Sequence, residues 1–380
     1  MSTSVPSSGR VVRSTITADG ELRVAIAEEA VPVPGDGEVL VAVSASPVNP
    51  SDLGVLLGPA DPSSVRLERD GRELRAALDP RVLPHVRERL GLALRLGNEG
   101  TGTVVACGPG AEELQGRRVA ALAGGMWADF RVVRAADVAI LPDEVRDEDA
   151  AAMHVNPLTA LAMVETMRAE GHTALVHTAA ASSLGQMLVR ICLADGVELV
   201  NVVRSPAQAT LLRDLGATHV VDSSADGFDA ALTAAVAETG ATLAFDAVGG
   251  GRLASRILGA MERAARDRLD QPWSPYGTDV PKQVYVYGSL DRSPTEIHRA
   301  IGMTWSVGGF LLMRALQRLG PAAAGAMRAR VLAELGTTFR TEYDTSIPLG
   351  ALLDPEQLAA SARTGTGGKR LVAPGLDRAG

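Results

Sequence analysis

The sequence predicts an α/β protein, a doubly wound parallel sheet joined to a separate β-rich domain, and three observations carry that prediction. From 155 to 293, short apolar runs alternate with amphipathic stretches at βα spacing. From 10 to 141 the chain instead alternates apolar residues with glycine-marked turns such as Gly108-Pro-Gly110 and Gly124-Gly125. Between strand 174–177 and a helix starting near Leu184 lies a loop of almost no side-chain bulk, 178–183. A length of 380 residues exceeds one ordinary domain, so two are expected.

Taken along the chain, 1–13 is Ser-rich without an apolar core and reads as a disordered lead-in, not a signal peptide. Strands are expected at 38–43 and 101–106 in an antiparallel arrangement. The charged, proline-marked stretch 59–96 reads as an insertion, with helices over 64–78 and 79–94. In the second half, strands are expected at 174–177, 199–203, 219–222, 243–247 and 284–287, with helices at 184–194, 207–215, 227–239 and 251–265. A loop over 267–282, containing Pro, Trp and Tyr, is long enough to reach a cleft at the sheet edge. After 301 the chain carries an apolar stretch to 313, a helix around 322–335 and a final Lys369-Arg-Leu-Val-Ala373.

Composition narrows the function classes. At 46% hydrophobic and 22% charged the chain is an ordinary globular one, and its net charge of -8, without any run of Lys or Arg, argues against a nucleic-acid surface. The stretch 301–313 is too short to cross a bilayer, and a cytoplasmic location is the default expectation. Cys107 and Cys192 both sit in apolar contexts, which speaks for core roles and against a disulfide framework or a thiolate metal site.

The small-residue loop points to a phosphate-bearing ligand. Backbone N–H groups of Ala180, Ala181, Ser182, Ser183 and Leu184 can approach a pyrophosphate at the positive end of the following helix, and Gly185 lets that helix lie close to the sheet. About twenty residues past such a loop, an acid binds the adenosine ribose of NAD, whereas an arginine accommodates the 2'-phosphate of NADP; this chain has Arg204 followed by Ser205. Val248, in Asp246-Ala-Val-Gly249, and Gly288, Ser289 and Leu290 end two further strands at their carboxyl edges, where cofactors bind in such sheets. The loop departs from G-x-G-x-x-G, so a strand-to-helix turn without ligand stands as the alternative.

Several fragments in order and spacing resemble the medium-chain dehydrogenase/reductase superfamily, in its zinc-free quinone oxidoreductase and 2-enoyl thioester reductase branch. They are Val48-Asn-Pro-Ser-Asp52, Gly97-Asn-Glu-Gly100, Gly116-Arg-Arg-Val119, Trp127, Leu141-Pro142, Val155-Asn-Pro-Leu-Thr-Ala160, Ser183-Leu-Gly-Gln186, Asn201-Val-Val-Arg204, Asp246-Ala-Val-Gly-Gly250, Tyr287-Gly288 and Gly309-Phe-Leu311. The resemblance implies a Rossmann domain over 155–300, a GroES-like catalytic domain over 1–154, and a return to the latter over 301–380. It implies NADPH as cofactor, a small-molecule substrate, no nucleic-acid or membrane partner, and a homodimer.

It also implies roles for single residues. Asn49 and Thr159 match residues near the nicotinamide and its ribose, and Trp127 and Phe310 match residues on the substrate side, with a core role for Trp127 equally open. Lys369 would meet the cofactor edge or form a structural salt bridge. Zinc members carry a cysteine and a histidine where this chain has Asn49 and Asn98, and amides are poor zinc ligands, so no metal site is expected. Enoyl thioester reductases place a tyrosine just past a glycine after the N-P-S-D motif, where Gly58 is here followed by Pro59 and Ala60. Tyr276 and His85, in the two inserts, and His154 beside Val155-Asn-Pro are the alternative proton-bearing groups.

The expected activity is zinc-independent reduction by NADPH of a C=C bond conjugated to a carbonyl, in an enone, quinone or enoyl-type substrate. The alternatives are a zinc-free carbonyl reductase and a non-catalytic NADPH-binding or redox-sensing protein.

Overall fold

The computed structural model describes residues 5–68, 71–268, 273–362 and 369–378. The chain divides into two compact units, Met1–Val155 with Arg340–Gly380, and Asn156–Phe339. No helix among the described residues is long and apolar enough to cross a membrane.

The first unit opens with β1 (Ser8–Ile16), β2 (Glu21–Ala30), β3 (Glu38–Pro47), α1 (Pro50–Leu56), β4 (Arg66–Leu67), β5 (Glu73–Ala77), β6 (Leu94–Arg95), β7 (Glu99–Cys107), β8 (Arg118–Leu122), β9 (Phe130–Arg134), β10 (Val138–Ile140) and α2 (Asp147–Ala150). One sheet runs β4-β5-β2-β1-β6; in another, β10, β8, β7 and β3 follow one another, with β9 also on β3. Two expectations fail here. The last residues of the supposed lead-in, 8–13, open β1, which pairs with β2 over its whole length and buries Val11, Val12, Ser14 and Ile16. Its serines disguise a β-branched strand.

The stretch 64–78 is a strand pair and not a helix. In β5, Leu74 and Ala76 are buried against β2, while Arg75 pairs with both Glu73 and Glu21. Those charges belong to alternate positions of a strand, not to one face of a helix. Over Pro80–Arg89 the chain forms a 3-10 run with Pro84 inside it, a residue that removes a helical donor.

The second unit is built from α3 (Val155–Ala169), β11 (Ala174–Thr178), α4 (Ser183–Asp195), β12 (Glu198–Val203), α5 (Pro206–Asp214), β13 (His219–Asp222), α6 (Phe228–Thr239), β14 (Leu243–Asp246), β15 (Gly249–Gly251), α7 (Leu253–Arg268), β16 (Lys282–Val286), β17 (Asp291–Thr295), β18 (Trp305–Gly309), α8 (Leu312–Leu319) and α9 (Pro321–Ala333). Its six-stranded sheet is parallel at every pairing and runs β13-β12-β11-β14-β16-β18. Counted within the sheet this is the order 3-2-1-4-5-6 of a dinucleotide fold. The strands are near-continuous apolar runs because helices cover both faces; Leu175, Val176, Val200, Leu243, Ala244, Phe245 and Val284 are all buried.

The chain returns to the first unit at Arg340, not at 301. The segment 301–339 stays with the parallel sheet because β18 is its sixth strand, in register with β16 from Lys282↔Trp305 to Val286↔Gly309. The first unit is completed by β19 (Tyr343–Ile347), α10 (Pro355–Ala362) and β20 (Lys369–Val372). β20 pairs with the end of β3, at Leu371↔Pro47 and Val372↔Ser46, and so delivers Lys369 beside the residues that follow Pro47.

Candidate cofactor and active site

In the second unit, the predicted cofactor segments meet at one edge. Ala180 to Gly185 follow β11, Arg204 and Ser205 follow β12, Val248 follows β14, and Gly288, Ser289 and Leu290 follow β16. These are the carboxyl ends of four neighbouring strands, β12-β11-β14-β16. The loop after β11 is tight: Ala179 takes a φ of 50°, a left-handed conformation that costs an alanine about 1–2 kcal/mol. Ser182 caps α4, its Oγ accepting from the Gly185 N–H at 3.2 Å. A Cβ on Gly185 would overlap the Ala180 carbonyl oxygen, so only glycine lets α4 begin this close to the loop.

Buried polar bonds fix the same edge. Thr178 Oγ1 donates to Asp246 Oδ1 at 2.7 Å and accepts from the Ala247 N–H, while the Asp246 carboxylate accepts from the N–H groups of Val248 and Gly249. His177, fully buried in β11, shares a 2.7 Å hydrogen bond with the Tyr287 hydroxyl, and burial pushes its imidazole down to about 3. Neither pair is visible in the sequence, since each joins residues more than sixty positions apart.

The first unit holds a second polar cluster, around Asn49. The Asn49 side chain is 1% exposed; its Nδ2 donates to Glu99 Oε1 at 3.0 Å and its Oδ1 accepts from Lys369 Nζ at 2.6 Å. Glu99 Oε2 takes the backbone N–H groups of His154 and Val155 at 2.8 and 2.9 Å. Asp52 accepts the backbone N–H of Asn49 on one oxygen and that of Asn98 on the other. Burial pushes Asp52 up to about 7, with Glu99 adding to the effect and the two N–H donors opposing it. Burial also raises Glu99 and lowers Lys369, each held back by its attraction to the other. Asp52 thus buttresses the N-P-S-D turn, whereas Glu99 carries no local signal, because an acid in a turn motif looks the same whether it is buried or solvated.

The other predicted residues fall elsewhere. Thr159 lies buried in α3 of the second unit. Trp127 is not a pocket wall: it is fully buried in the core of the first unit, with its indole N–H 3.4 Å from the Pro47 carbonyl. It packs where a Cβ on Gly97 would come within 2.6 Å of the indole, which is why that turn needs glycine. Phe310 is likewise core, 9% exposed, edge-on to Phe245 with centroids 5.0 Å apart. Its backbone N–H continues the sheet onto Val286, which turns the ring inward.

Tyr276 is 71% exposed and sits before β16, at the amino edge of the parallel sheet, opposite the strand ends that gather the cofactor segments. The loop 267–282 is held there by Glu262, which accepts from Thr278 N–H and Oγ1, both at 2.9 Å, and pairs with Lys282 at 2.8 Å. Its residues 269–272 lie outside the described residues. Ala60, at the position of the family tyrosine, is buried in the core of the first unit. Cys107 and Cys192 are free thiols, the first partly exposed and the second buried.

Comparison with known proteins bears on the fold of both units. Residues 35–143 match a family model described as alcohol dehydrogenase GroES-like domain, and residues 183–266 one described as zinc-binding dehydrogenase. Among curated proteins, the mitochondrial enoyl-[acyl-carrier-protein] reductase of Xenopus tropicalis is 31% identical over 198 residues, 50% of this chain and 49% of that protein. A mycocerosic acid synthase-like polyketide synthase of Mycobacterium tuberculosis is 31% identical over 195 residues, 50% of this chain and 8% of that protein. The matched stretch thus spans about half or less of these relatives.

Among solved structures, a Mesorhizobium loti protein assigned as an NADPH:quinone reductase is 28% identical, with a TM-score of 0.72, over 98% of this chain and 100% of that one. The Escherichia coli quinone oxidoreductase complexed with NADPH shares the fold at 18% identity, with a TM-score of 0.67, over 96% of this chain and 100% of that one. The β-rich unit with its GroES-like match, the 3-2-1-4-5-6 parallel sheet and the full-length structural likeness lead to one assignment: the chain belongs to the medium-chain dehydrogenase/reductase superfamily.

Proposed function

We propose that this protein is an NADPH-dependent, zinc-independent reductase of C=C bonds conjugated to a carbonyl, with quinones and enones as its substrate class. The observation that carries the reading is the convergence of the bulk-free loop 180–185, Arg204 and the 288–290 turn on the carboxyl ends of neighbouring parallel strands. The α4 N-terminus and loop N–H groups would hold the pyrophosphate, and Arg204 the 2'-phosphate. The cofactor, when bound, supplies a hydride. Accepted at the substrate β carbon, that hydride would displace the C=C electron pair toward the carbonyl oxygen, and the enolate so formed would take a proton from water at its α carbon.

The donor set speaks against zinc. Both ends of the Asn49 amide are engaged, one by an ammonium that would repel a dication, and Asn98 Nδ2 donates to Ser51 Oγ at 2.9 Å. Among the described residues no group of three His, Cys, Asp or Glu side chains is placed to hold a metal. The buried Ala60 favours quinones and enones over thioesters, because it offers no hydroxyl for proton transfer. Self-association through the outer strand β18 is the assembly expected, and sedimentation equilibrium checks it.

The test is turnover. NADPH oxidation is followed with 1,4-quinones, cyclic enones, 2-alkenals and enoyl thioesters, and quinones and enones are expected to react fastest. Tight NADPH binding without turnover of any of them would sink the reading.

A further inference from the structure

We propose that Lys369 and Glu99 clamp the Asn49 amide into a polarised hydrogen-bond donor for the substrate oxygen that gains charge, making Lys369 a positioning residue and not a cofactor ligand. The inference rests on the reductase reading above.

A primary amide offers two N–H groups and a carbonyl oxygen with two lone pairs. Lys369 Nζ takes the oxygen at 2.6 Å and Glu99 Oε1 takes one N–H at 3.0 Å, which leaves one N–H to donate. The amide cannot be turned over. A flip would set its NH2 against the ammonium and its oxygen against the carboxylate, two repulsive contacts in place of two attractive ones. The backbone is fixed as well, because the Asn49 N–H is held by Asp52 at 2.9 Å and the residue is 1% exposed.

Charge adds to orientation. A cation on the carbonyl oxygen draws electron density from the amide nitrogen, most strongly where water is excluded, while Glu99 on the other N–H serves orientation. The remaining N–H is therefore a better donor to an enolate or quinol oxygen than an ordinary amide, which is the work a Lewis acid does elsewhere. Among the described residues the Lys369 ammonium donates to Asn49 Oδ1 rather than to either carboxylate. A brace meant only to hold the fold would pair the ammonium with Glu99 directly. The three parts arrive from the end of β3, from β7 and from β20, positions up to 320 residues apart, so the cluster exists only in the folded unit.

The test uses the full chain and three variants, Lys369→Met, Lys369→Arg and Lys369→Gln. The last keeps a donor beside Asn49 Oδ1 while removing the charge, so it reports on the clamp where the methionine fails to fold. Three quantities are read: kcat with 2-cyclohexenone and 1,4-benzoquinone, the Kd of NADPH, and the Kd of 4-nitrophenolate, an oxyanion mimic, with NADP+ saturating. For the methionine and glutamine variants the expectation is a loss of about tenfold or more in kcat and in phenolate affinity, with the NADPH Kd changed less than about twofold and arginine restoring most of the loss. The proposal is overturned if kcat and phenolate binding do not move, or if the NADPH Kd rises by the same factor. Wild-type protein that binds phenolate through Lys369 but reduces nothing overturns the reductase reading and leaves the clamp standing. Turnover indifferent to all three variants overturns the clamp alone.

Discussion

The proposed cofactor edge of the parallel sheet and the Asn49 cluster of the β-rich unit are built in opposite ways. The first is made of backbone: a loop of alanines and serines, a helix N-terminus and a glycine with no space for a Cβ. The second is made of side chains, two acids, an amide and a lysine, held by one another and by neighbouring backbone N–H groups inside a protein core. A backbone site is contiguous in sequence and tolerates little added bulk. A side-chain site is scattered in sequence and is sensitive to charge.

The largest expected effect tests the intolerance to bulk. Gly185→Val places a branched side chain against the Ala180 carbonyl, an overpacking that costs about 1–3 kcal/mol and shifts α4 away from the loop. The NADPH Kd, followed by fluorescence titration, is expected to rise about tenfold or more. An unchanged Kd would mean that the loop does not meet the cofactor. Arg204→Ala comes next. Removing a charge-assisted hydrogen bond is expected to raise the KM for NADPH about tenfold while the KM for NADH moves less than about twofold. Equal shifts would remove the 2'-phosphate assignment.

The two regions also respond to pH in opposite senses. Asp52 titrates near 7 in the folded state against 3.8 as a model acid, so the folded protein holds the extra proton between those values. Its contribution to stability falls as pH rises from about 4 to 7 and is flat above. His177 titrates near 3 when folded against 6.5 unperturbed. Its contribution is intact above about 6.5 and is lost as pH falls from there toward 3. Asp52→Asn is expected to remove a falling slope and the double variant His177→Phe/Tyr287→Phe a rising one, each at most about 1.4 kcal/mol per pH unit. Urea unfolding between pH 4 and 7 measures both, and slopes of the same sign would refute the contrast.

How much of each region was legible follows from this difference. The strands of the parallel sheet and the small loop can be read because their signals lie within a dozen or so neighbouring residues, and Arg204 because it stands about twenty residues past that loop. The cluster could be read only in part. Asn49 stood out through its motif, but its partners Glu99 and Lys369 are joined to it by strand pairings that no local pattern encodes. Trp127 stays open between pocket wall and core, and Phe310 is expected on the substrate side, for a related reason: an aromatic in a strand-like context packs inward or lines a cavity, and only the neighbours decide. In β5 the Arg and Glu side chains marked a polar surface without revealing its period, so a strand passed for a helix.

The smallest expected effect concerns Tyr276, which sequence reasoning advanced as a proton-bearing group for the substrate. Position in the sheet argues against it. A residue that precedes a parallel strand lies at the amino edge, and Glu262 pins this loop there through Thr278 and Lys282. The cofactor segments all follow strands and gather at the other edge. Tyr276→Phe and Tyr276→Ala are therefore expected to change kcat/KM with 1,4-benzoquinone less than about twofold and stability by no more than about 0.5 kcal/mol, as befits an exposed side chain. A loss of tenfold with the phenylalanine variant, which removes only the hydroxyl, would return the loop to the chemistry.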